Sequence, residues 1–239
     1  MSTEKQIRIT VIIPTLNESE QIGNLIKHLL DTHQEGLVEI IVSDAASKDD
    51  TAKIAATYDV KVLQTKKASR AHQMNEAARL AKGDILYFVH ADVLPPSTYF
   101  QDILKYRDQG YDFGCYRFKF DSRNPLLAVN SFFTRFKVLW CRGGDQTLFI
   151  KKELFQKQGG FNEAYIVMED FDLIKRLWKD HDFIVMPKST LVSARKYDNN
   201  SYWQVNMANL KLFRLFMKGE KPEILQNMYY KLIKHPKDI

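Results

Sequence analysis

Four apolar runs recur in the first hundred residues, separated by amphipathic or alanine-rich stretches. Residues 7–13 (IRITVII) and 39–43 (EIIVS) are rich in β-branched residues, and residues 60–63 and 84–89 (DILYFV) continue the series. Such runs are typical of strands that are buried on both faces of a parallel sheet. The pattern therefore predicts four buried, parallel strands.

The segments between these strands predict helices with recognisable ends. The first helix opens at residues 17–20 (NESE) and runs to about Leu30, and residues 47–50 (SKDD) have the spacing of a capping box that starts a second helix. An alanine-rich helix over residues 69–81 ends near Gly83, a residue type typical of helix C-caps. Alternating strands and helices predict a Rossmann-like sheet.

The second half has a different pattern, in which residues 112–120 alternate like an antiparallel strand. Further strands are predicted at 146–150 and 183–187, and helices at 126–140, 169–179, 201–217 and 222–233. No linker, internal repeat or low-complexity segment separates the halves. We therefore predict an α/β fold with one domain over residues 1–239, in which two lobes (about 1–110 and 111–239) share a mixed sheet flanked by helices.

Composition excludes several classes of protein. The 239 residues are 45% apolar and 27% charged, as in ordinary globular chains, and no stretch approaches the ~20 apolar residues that a spanning helix needs. Two cysteines, Cys115 and Cys141, support neither a disulfide scaffold nor a cysteine-based zinc site, which favours a reduced, cytoplasmic compartment. The net charge of +6 suits a phosphate-bearing partner: a nucleotide, a nucleic acid or an acidic membrane. No nucleic-acid-binding motif is present, so a nucleic acid is disfavoured.

Polar residues follow three predicted strands, at 14–18 (PTLNE), 44–47 (DAAS) and 90–92 (HAD). Ligands of open α/β sheets bind beyond the carboxyl ends of the parallel strands, so these residues are candidates for a site. Asp44 could accept a hydrogen bond from a nucleotide base, although for a lone Asp turn chemistry or a helix cap is the favoured explanation. Asp92 could hold Mg²⁺ or Mn²⁺, or cap a turn, and His90 could be a ligand, a ribose contact or a packed side chain.

Two further groups lie on predicted helices. Arg70 opens the third helix, where a guanidinium adds to the backbone N–H groups in holding anions; the alternative is a solvated surface residue. Glu169 and Asp170 lie in the first turn of a helix, where acidic groups are favoured by the helix dipole. Adjacent helical residues point about 100° apart, so only one of the pair can aim at a given site, as a general base.

The order of these motifs resembles the family 2 glycosyltransferases of GT-A fold over almost the whole chain. Residues 11–18 (VIIPTLNE) are similar to the opening motif, and residues 42–51 (VSDAASKDDT) to the V-D-D-G-S-x-D-x-T nucleotide motif. Residues 90–92 stand at the place of the D-x-D motif, and Met168-Glu-Asp170 at the place of the E-D catalytic motif.

A narrower resemblance is to the small subfamily named rSAM/selenodomain-associated transferase 2. The motifs that carry it are residues 69–75 (SRAHQMN), 88–92 (FVHAD), 143–146 (GGDQ), 159–161 (GGF), 168–170 (MED) and 193–195 (SAR).

The resemblance implies a metal-dependent, inverting and non-processive enzyme that moves one sugar from a nucleoside diphosphate sugar to an acceptor hydroxyl. A UDP-sugar is the first expectation and a GDP-sugar the second, with Mn²⁺ or Mg²⁺ as cofactor. The first lobe would bind the nucleotide sugar and the second the acceptor. The implied site residues are Asp170 and Glu169 for catalysis; Pro14, Thr15, Asn17, Glu18, Asp44, Arg70, His90 and Ala91 for the nucleotide; Asp92 for the metal; and Gly144, Asp145, Gln146 and Arg195 for the sugar or acceptor.

The chain departs from the family pattern because His90 replaces the first acid of D-x-D and Arg195 lies near the place of a late metal-binding His. His90 is the support for one alternative, a catalytically weak protein that binds nucleotide sugars. A second alternative, a sugar-nucleotide nucleotidyltransferase, usually needs a glycine-rich loop after the first strand, which residues 14–18 lack. The Q-x-x-R-W motif of processive synthases is absent from the sequence, which favours a single transfer.

Aromatic residues concentrate in the predicted helix over 126–140, beside Arg135 and Lys137. An apolar stripe usually means burial, so a core helix is favoured. The alternative is an acceptor lid or a helix on the membrane surface, with residues 203–217 as a second such candidate. Membrane contact would place the protein at the inner face of the membrane and imply a lipid-linked acceptor.

Overall fold

The computed structural model describes residues 8–234, so Ile7 of the predicted first strand lies outside the described residues. Eight strands form one mixed sheet in the order β3-β2-β1-β4-β7-β6-β8-β5. The strands are β1 (Ile9–Thr15), β2 (Val38–Asp44), β3 (Lys61–Gln64), β4 (Ile85–Phe88), β5 (Val93–Leu94), β6 (Phe113–Phe120), β7 (Leu148–Lys151) and β8 (Phe183–Val192). The helices are α1 (Ser19–Thr32), α2 (Thr51–Ala55), α3 (Arg70–Leu80), α4 (Tyr99–Asp108), α5 (Pro125–Phe133), α6 (Lys152–Lys157), α7 (Glu169–Leu177), α8 (Tyr202–Met217) and α9 (Pro222–Leu232). The predicted α/β fold with a mixed sheet flanked by helices is confirmed.

The first four strands are parallel, as predicted, with β1 between β2 and β4. Alternate residues of β1 enter two different cores: Val11 and Ile13 pack with α1 and α4 on one face, and Ile12 packs with α3 and α7 on the other. Burial on both faces explains why the run is apolar without alternation. Because the register pairs Thr15 with Asp44, the loops that follow β1 and β2 leave the sheet at the same edge.

The second half extends this sheet with both orientations. Strand β7 is antiparallel to β4 and to β6, whereas β6 and β8 run parallel, so the antiparallel prediction for residues 112–120 holds on one edge of β6 alone. The two-residue strand β5 pairs with the end of β8, Val93 opposite Val192. This short pairing brings the segment after β4 against the segment after β8.

Two predicted helix ends are wrong. Helix α2 begins at Thr51, and Ser47 does not cap it, because the Ser47 hydroxyl and amide both bond the Asp44 carboxylate. Gly83 is not the C-cap of α3, which ends at Leu80. It is required for close packing, since a Cβ at this position would lie 2.6 Å from the backbone nitrogen of Thr10.

Other boundaries also differ from the sequence prediction. Helices α4 and α6 and strand β5 were not predicted, and the strand predicted at 183–187 runs on to Val192. The aromatic helix predicted over 126–140 ends at Phe133, and the chain then turns. Hydrogen bonds from the buried Arg142 hold that turn.

Candidate active site

A cavity of about 950 Å³ opens at the carboxyl edge of the parallel strands and continues between α5 and α8. Its polar end is formed by the segments after β1, β4 and β8 and by the first turns of α3 and α7. The predicted site residues that line it are Pro14, Thr15, Glu18, Arg70, His90, Ala91, Asp92, Gly144, Asp145, Glu169, Asp170 and Arg195. The other three, Asn17, Asp44 and Gln146, lie outside this lining.

Strained backbone conformations concentrate around this edge. Among the described residues, the non-glycine residues with positive φ are Asn17 (53°), Ala46 (53°), Thr147 (59°) and Met168 (71°). Asn17 is itself a predicted site residue, and the other three lie within two residues of one. Such conformations cost about 1–3 kcal/mol each and persist where the surrounding structure requires them, commonly at functional sites.

Asn17 and Asp44 organise two loops of the cavity wall. The Asp44 carboxylate, 1% exposed, accepts hydrogen bonds from Thr15 Oγ1 (3.0 Å) and from the Ser47 amide and hydroxyl. The amide of Asn17 donates to Ser47 Oγ (2.9 Å), and its side chain accepts from the Lys48 amide. Asp44 therefore makes the hydrogen bonds of a turn residue. Its contact with a nucleotide base stays a prediction.

Arg195 bridges two carboxylates at the polar end. Its Nη1 and Nη2 lie 2.9 Å from the two carboxylate oxygens of Glu18, and Nη2 also donates to Asp92 Oδ2 at 3.1 Å. The amide of Ser193 donates to the backbone oxygen of Asp92 (3.0 Å), which keeps the segments after β4 and β8 together. Asp92 thus has a positive partner within the chain.

Glu169 and Asp170 are both buried in the first turn of α7, yet they face different neighbours. Arg70 Nε lies 2.8 Å from Glu169 Oε1, and Glu169 is 1% exposed. Asp170 faces Gly144 and lines the cavity with it. Adjacent helical residues point about 100° apart, which accounts for the different neighbours of the two carboxylates.

The environment of Asp170 disfavours its charged form. Burial raises the pKa of Asp170 to about 8, and the nearby charges of Glu169 and Asp145 act in the same direction. Arg70 and the Gly144 amide oppose the shift. A carboxyl group with a pKa near the working pH is suited to accept a proton from a substrate.

Gly144 packs directly against Asp170 and His90. A Cβ at Gly144 would overlap the His90 ring and lie 2.8 Å from Asp170 Oδ2. Burial and the charge of Arg70 lower the pKa of His90 to about 4, although Asp92 opposes this, so the ring is neutral at pH 7. His90, Gly144 and Asp170 therefore form one tightly packed group.

Asp145 and Gln146 follow Gly144 in the same short helical turn. Asp145 projects into the cavity, where the surrounding protein and the charge of Asp92 raise its pKa, and Lys196 and Arg70 oppose the shift. Gln146 is buried; its Nε2 lies 3.4 Å from the backbone oxygen of Thr134. Among residues 8–234, no group of three His, Cys, Asp or Glu side chains is placed to hold a metal ion.

Comparison with protein families shows the family to which the chain belongs. Residues 10–168 match the family described as Glycosyl transferase family 2, and this span holds the strand-end loops, Arg70, His90 and Asp92. The chain belongs to glycosyl transferase family 2. Membership favours glycosyl transfer over the nucleotidyltransferase alternative, whereas the narrower subfamily resemblance stays a prediction.

Two curated relatives illustrate the breadth of the family. An uncharacterized glycosyltransferase of Haemophilus influenzae is 24% identical over 73% of this chain and 63% of its own length. A 4,4'-diaponeurosporenoate glycosyltransferase of Staphylococcus aureus is 31% identical over 36% of this chain and 24% of its own length. The chain thus spans less than two thirds of either relative.

Solved structures share the fold of this family 2 chain. The mannosyltransferase PcManGT of Pyrobaculum calidifontis, in complex with GDP-Man and Mn²⁺, has a TM-score of 0.64 at 23% identity, over 93% of this chain and 69% of its own. TarS 1-349 of S. aureus, in complex with UDP-GlcNAc, has a TM-score of 0.65 at 17% identity, over 95% and 71%. Both support the GT-A assignment of the sheet.

An aromatic rim borders the cavity of the family 2 chain, and the prediction that this segment is a core helix is wrong. We define the rim as Phe132, Phe133, Phe136 and Trp140, whose exposed fractions are 47, 39, 43 and 55%. The rings contact one another at centroid distances of 5.7–6.0 Å, and the Arg135 guanidinium lies 4.0 Å from the Phe132 centroid.

The described residues contain no helix long and apolar enough to cross a membrane.

Arg142 supports the rim and was missed by the sequence analysis. It is 4% exposed, and Nη2 donates to the backbone oxygens of Thr134 (2.8 Å) and Phe136 (2.6 Å). Nε donates to the backbone oxygen of Val138, and Nη1 lies 3.1 Å from Cys115 Sγ. No property of a single arginine in the sequence indicates that it is buried and holds a turn.

We expect Arg142→Met to lower the free energy of unfolding by about 2–4 kcal/mol, since hydrogen bonds from a charged donor contribute about 1.5–3 kcal/mol each and the methionine makes none. Chemical denaturation measures this change. The matched control is Arg135→Met in the same segment, an exposed residue whose loss should change stability by about 0.5 kcal/mol or less. Equal effects of the two substitutions would contradict this role of Arg142.

Proposed function

We propose that this protein transfers one sugar from a nucleoside diphosphate sugar to an acceptor hydroxyl, with inversion and without processive addition. The observation that carries the proposal is the placement of Asp170, a buried carboxylate with raised pKa, in a cavity whose polar end also presents Arg70 and Arg195. A base for the acceptor and cations for a diphosphate are the two requirements of the reaction. The UDP-GlcNAc and GDP-Man bound by the neighbours support this donor class, with a UDP-sugar first and a GDP-sugar second.

In the proposed reaction, Asp170 takes the proton of the acceptor hydroxyl while the oxygen attacks the anomeric carbon. The bond between that carbon and the diphosphate oxygen breaks on the opposite face, so a single displacement inverts the configuration. Glu169 is engaged by Arg70, which makes it a positioning residue, and His90 and Gly144 fix the direction of the Asp170 carboxylate. Asp145 faces the sugar or acceptor.

The donor set of the site fits Mn²⁺ or Mg²⁺ when a diphosphate is present. Mg²⁺ is commonly bound by one or two carboxylates together with substrate phosphates and water, and Asp92 supplies one such carboxylate. When bound, the ion would offset negative charge on the departing nucleoside diphosphate. Mn²⁺ accompanies UDP in a structural neighbour, glucosyl-3-phosphoglycerate synthase of Mycobacterium tuberculosis, whose TM-score is 0.59.

The far end of the cavity suits an apolar or lipid-linked acceptor. Its walls include Phe118, Phe133, Trp140, Leu212 and Phe213. The aromatic rim and Arg135 together resemble surfaces that rest on anionic membranes, where apolar contact and charge attraction add. We therefore propose peripheral contact at the inner face of the membrane; a cytoplasmic location stays a prediction.

Vesicle flotation checks the membrane contact. We expect association with vesicles containing anionic lipid at low salt, weakened by salt and by Trp140→Ser, because both electrostatic and apolar contributions are lost. Neutral vesicles serve as the control. Absence of association with anionic vesicles at low salt would remove the membrane from the proposal.

Release of free nucleoside diphosphate from a panel of UDP- and GDP-sugars tests the proposed reaction. We expect one sugar nucleotide to be turned over in the presence of Mn²⁺, with faster turnover when an amphiphilic alcohol such as an alkyl glycoside is added. Turnover of none, alongside intact nucleotide binding, would favour the alternative of a binding protein.

The pH profile of kcat/KM should rise about tenfold per pH unit and level off near pH 8, because a general base acts only when deprotonated and burial raises the pKa of Asp170 to about 8. In Glu169→Gln the midpoint should move to lower pH, since the negative charge that raises the Asp170 pKa is gone. An unchanged or higher midpoint in this variant would contradict the assignment.

A further inference from the structure

Arg195 occupies the position from which a cation would reach Asp92. Its Nη2 lies 3.1 Å from Asp92 Oδ2, so a divalent ion at that oxygen would lie within a few ångströms of a guanidinium. Two positive groups at this distance repel each other strongly in a partly enclosed site. In this arrangement the Asp92 carboxylate is already compensated.

Glu18 would hold the Arg195 side chain in place even if its contact with Asp92 were lost. It receives both terminal nitrogens of Arg195 at 2.9 Å, the paired geometry in which a guanidinium binds a carboxylate best. The Asp92 contact is a single, longer hydrogen bond from Nη2. Arg195 can therefore give up Asp92 and keep a carboxylate partner.

We infer that Arg195 exchanges Asp92 for the diphosphate of the donor, so that Asp92 becomes available to a divalent cation only when the diphosphate is bound. The Nη2 contact that Asp92 receives could pass to a phosphate oxygen while Glu18 keeps its two contacts, and the diphosphate carries more negative charge than Asp92. The inference rests on the proposed function, because it assumes a nucleoside diphosphate at this end of the cavity. Arg70 contacts Glu169, whereas Arg195 contacts Asp92, so the exchange concerns Arg195.

The exchange predicts reciprocal coupling between metal and nucleotide. If the diphosphate frees Asp92 for the cation, then the cation must strengthen diphosphate binding by the same factor. Mn²⁺ alone should bind the wild-type protein weakly. With UDP or GDP present, its affinity should rise at least tenfold.

Electron paramagnetic resonance of free Mn²⁺ measures this binding without any turnover. We expect Arg195→Gln to bind Mn²⁺ at least tenfold more tightly than wild type in the absence of nucleotide, and to lose most of the coupling with UDP. Arg195→Lys keeps the charge but lacks the fork, so its affinity should lie between the two. Lys196→Gln is the matched control: it removes one positive charge from the next residue of the cavity wall and should change Mn²⁺ affinity less than threefold.

Two results separate the exchange from the proposed function. If the wild type binds UDP or GDP but neither Arg195 variant binds Mn²⁺ more tightly than it does, the exchange is wrong and the proposed function stands. If the wild type binds neither nucleotide with or without Mn²⁺, the proposed function is wrong and the exchange falls with it.

Discussion

Replacing Asp170 by asparagine should reduce sugar transfer by about 100- to 10,000-fold while leaving UDP or GDP affinity within about threefold of wild type. Asparagine keeps the shape of the side chain but accepts no proton from the acceptor. The protein should remain folded, because a neutral amide relieves the burial of a carboxylate that already has a raised pKa. Turnover assays and nucleotide titrations on the same preparation measure both effects.

Asp172→Asn is the matched control for this substitution. Asp172 lies in the same turn of α7 but outside the cavity lining, where it accepts a hydrogen bond from Arg176 Nε at 2.9 Å. Its loss should cost some stability and leave the transfer rate within about twofold. Wild-type turnover by Asp170→Asn would remove Asp170 from the role of base.

Gly144→Ala should reduce transfer by about 100-fold or more. The added methyl group would overlap the His90 ring and lie 2.8 Å from Asp170 Oδ2, so at least one of these groups must move. Misplacement of a reacting group by about 1 Å costs on the order of 100-fold in rate. The effect should fall mainly on kcat, which steady-state kinetics with a saturating donor would show.

Gly23→Ala provides the same chemical change at a distance from the cavity. Gly23 lies on helix α1, where alanine is the better helix former. Its added Cβ would lie 3.3 Å from the nearest side-chain atom, which belongs to Ile54. We expect wild-type activity in this variant. Wild-type activity in Gly144→Ala as well would show that close packing at Gly144 does not constrain Asp170.

The parallel half of the fold was predictable because burial on both faces leaves a direct trace in the sequence. Strand β1 is apolar without alternation because Val11 and Ile12 enter different cores. The predicted site edge follows from the same logic, since parallel strands release their loops together. Most of the predicted residues accordingly line one cavity.

Other features depend on contacts that no local pattern encodes. Arg195 meets Asp92 because a two-residue strand, β5, pairs with the end of β8 across about a hundred residues of sequence. The burial of Arg142 and the exposure of Trp140 occur together. In this segment the backbone carbonyls point inward to Arg142, and the aromatic rings point outward. From apolar composition alone, the aromatic rings would be predicted to be buried.

Thermal unfolding with UDP, GDP and dTDP, each with and without Mn²⁺, tests the central claim that this cavity holds a nucleoside diphosphate. At a concentration about 100-fold above Kd, a ligand stabilises the folded state by about 2.7 kcal/mol, which raises Tm by about 5–10 °C for a chain of this size. We predict such a rise for one nucleotide with Mn²⁺ and a smaller rise without it. An unchanged Tm with every nucleotide, with and without Mn²⁺, would contradict the account.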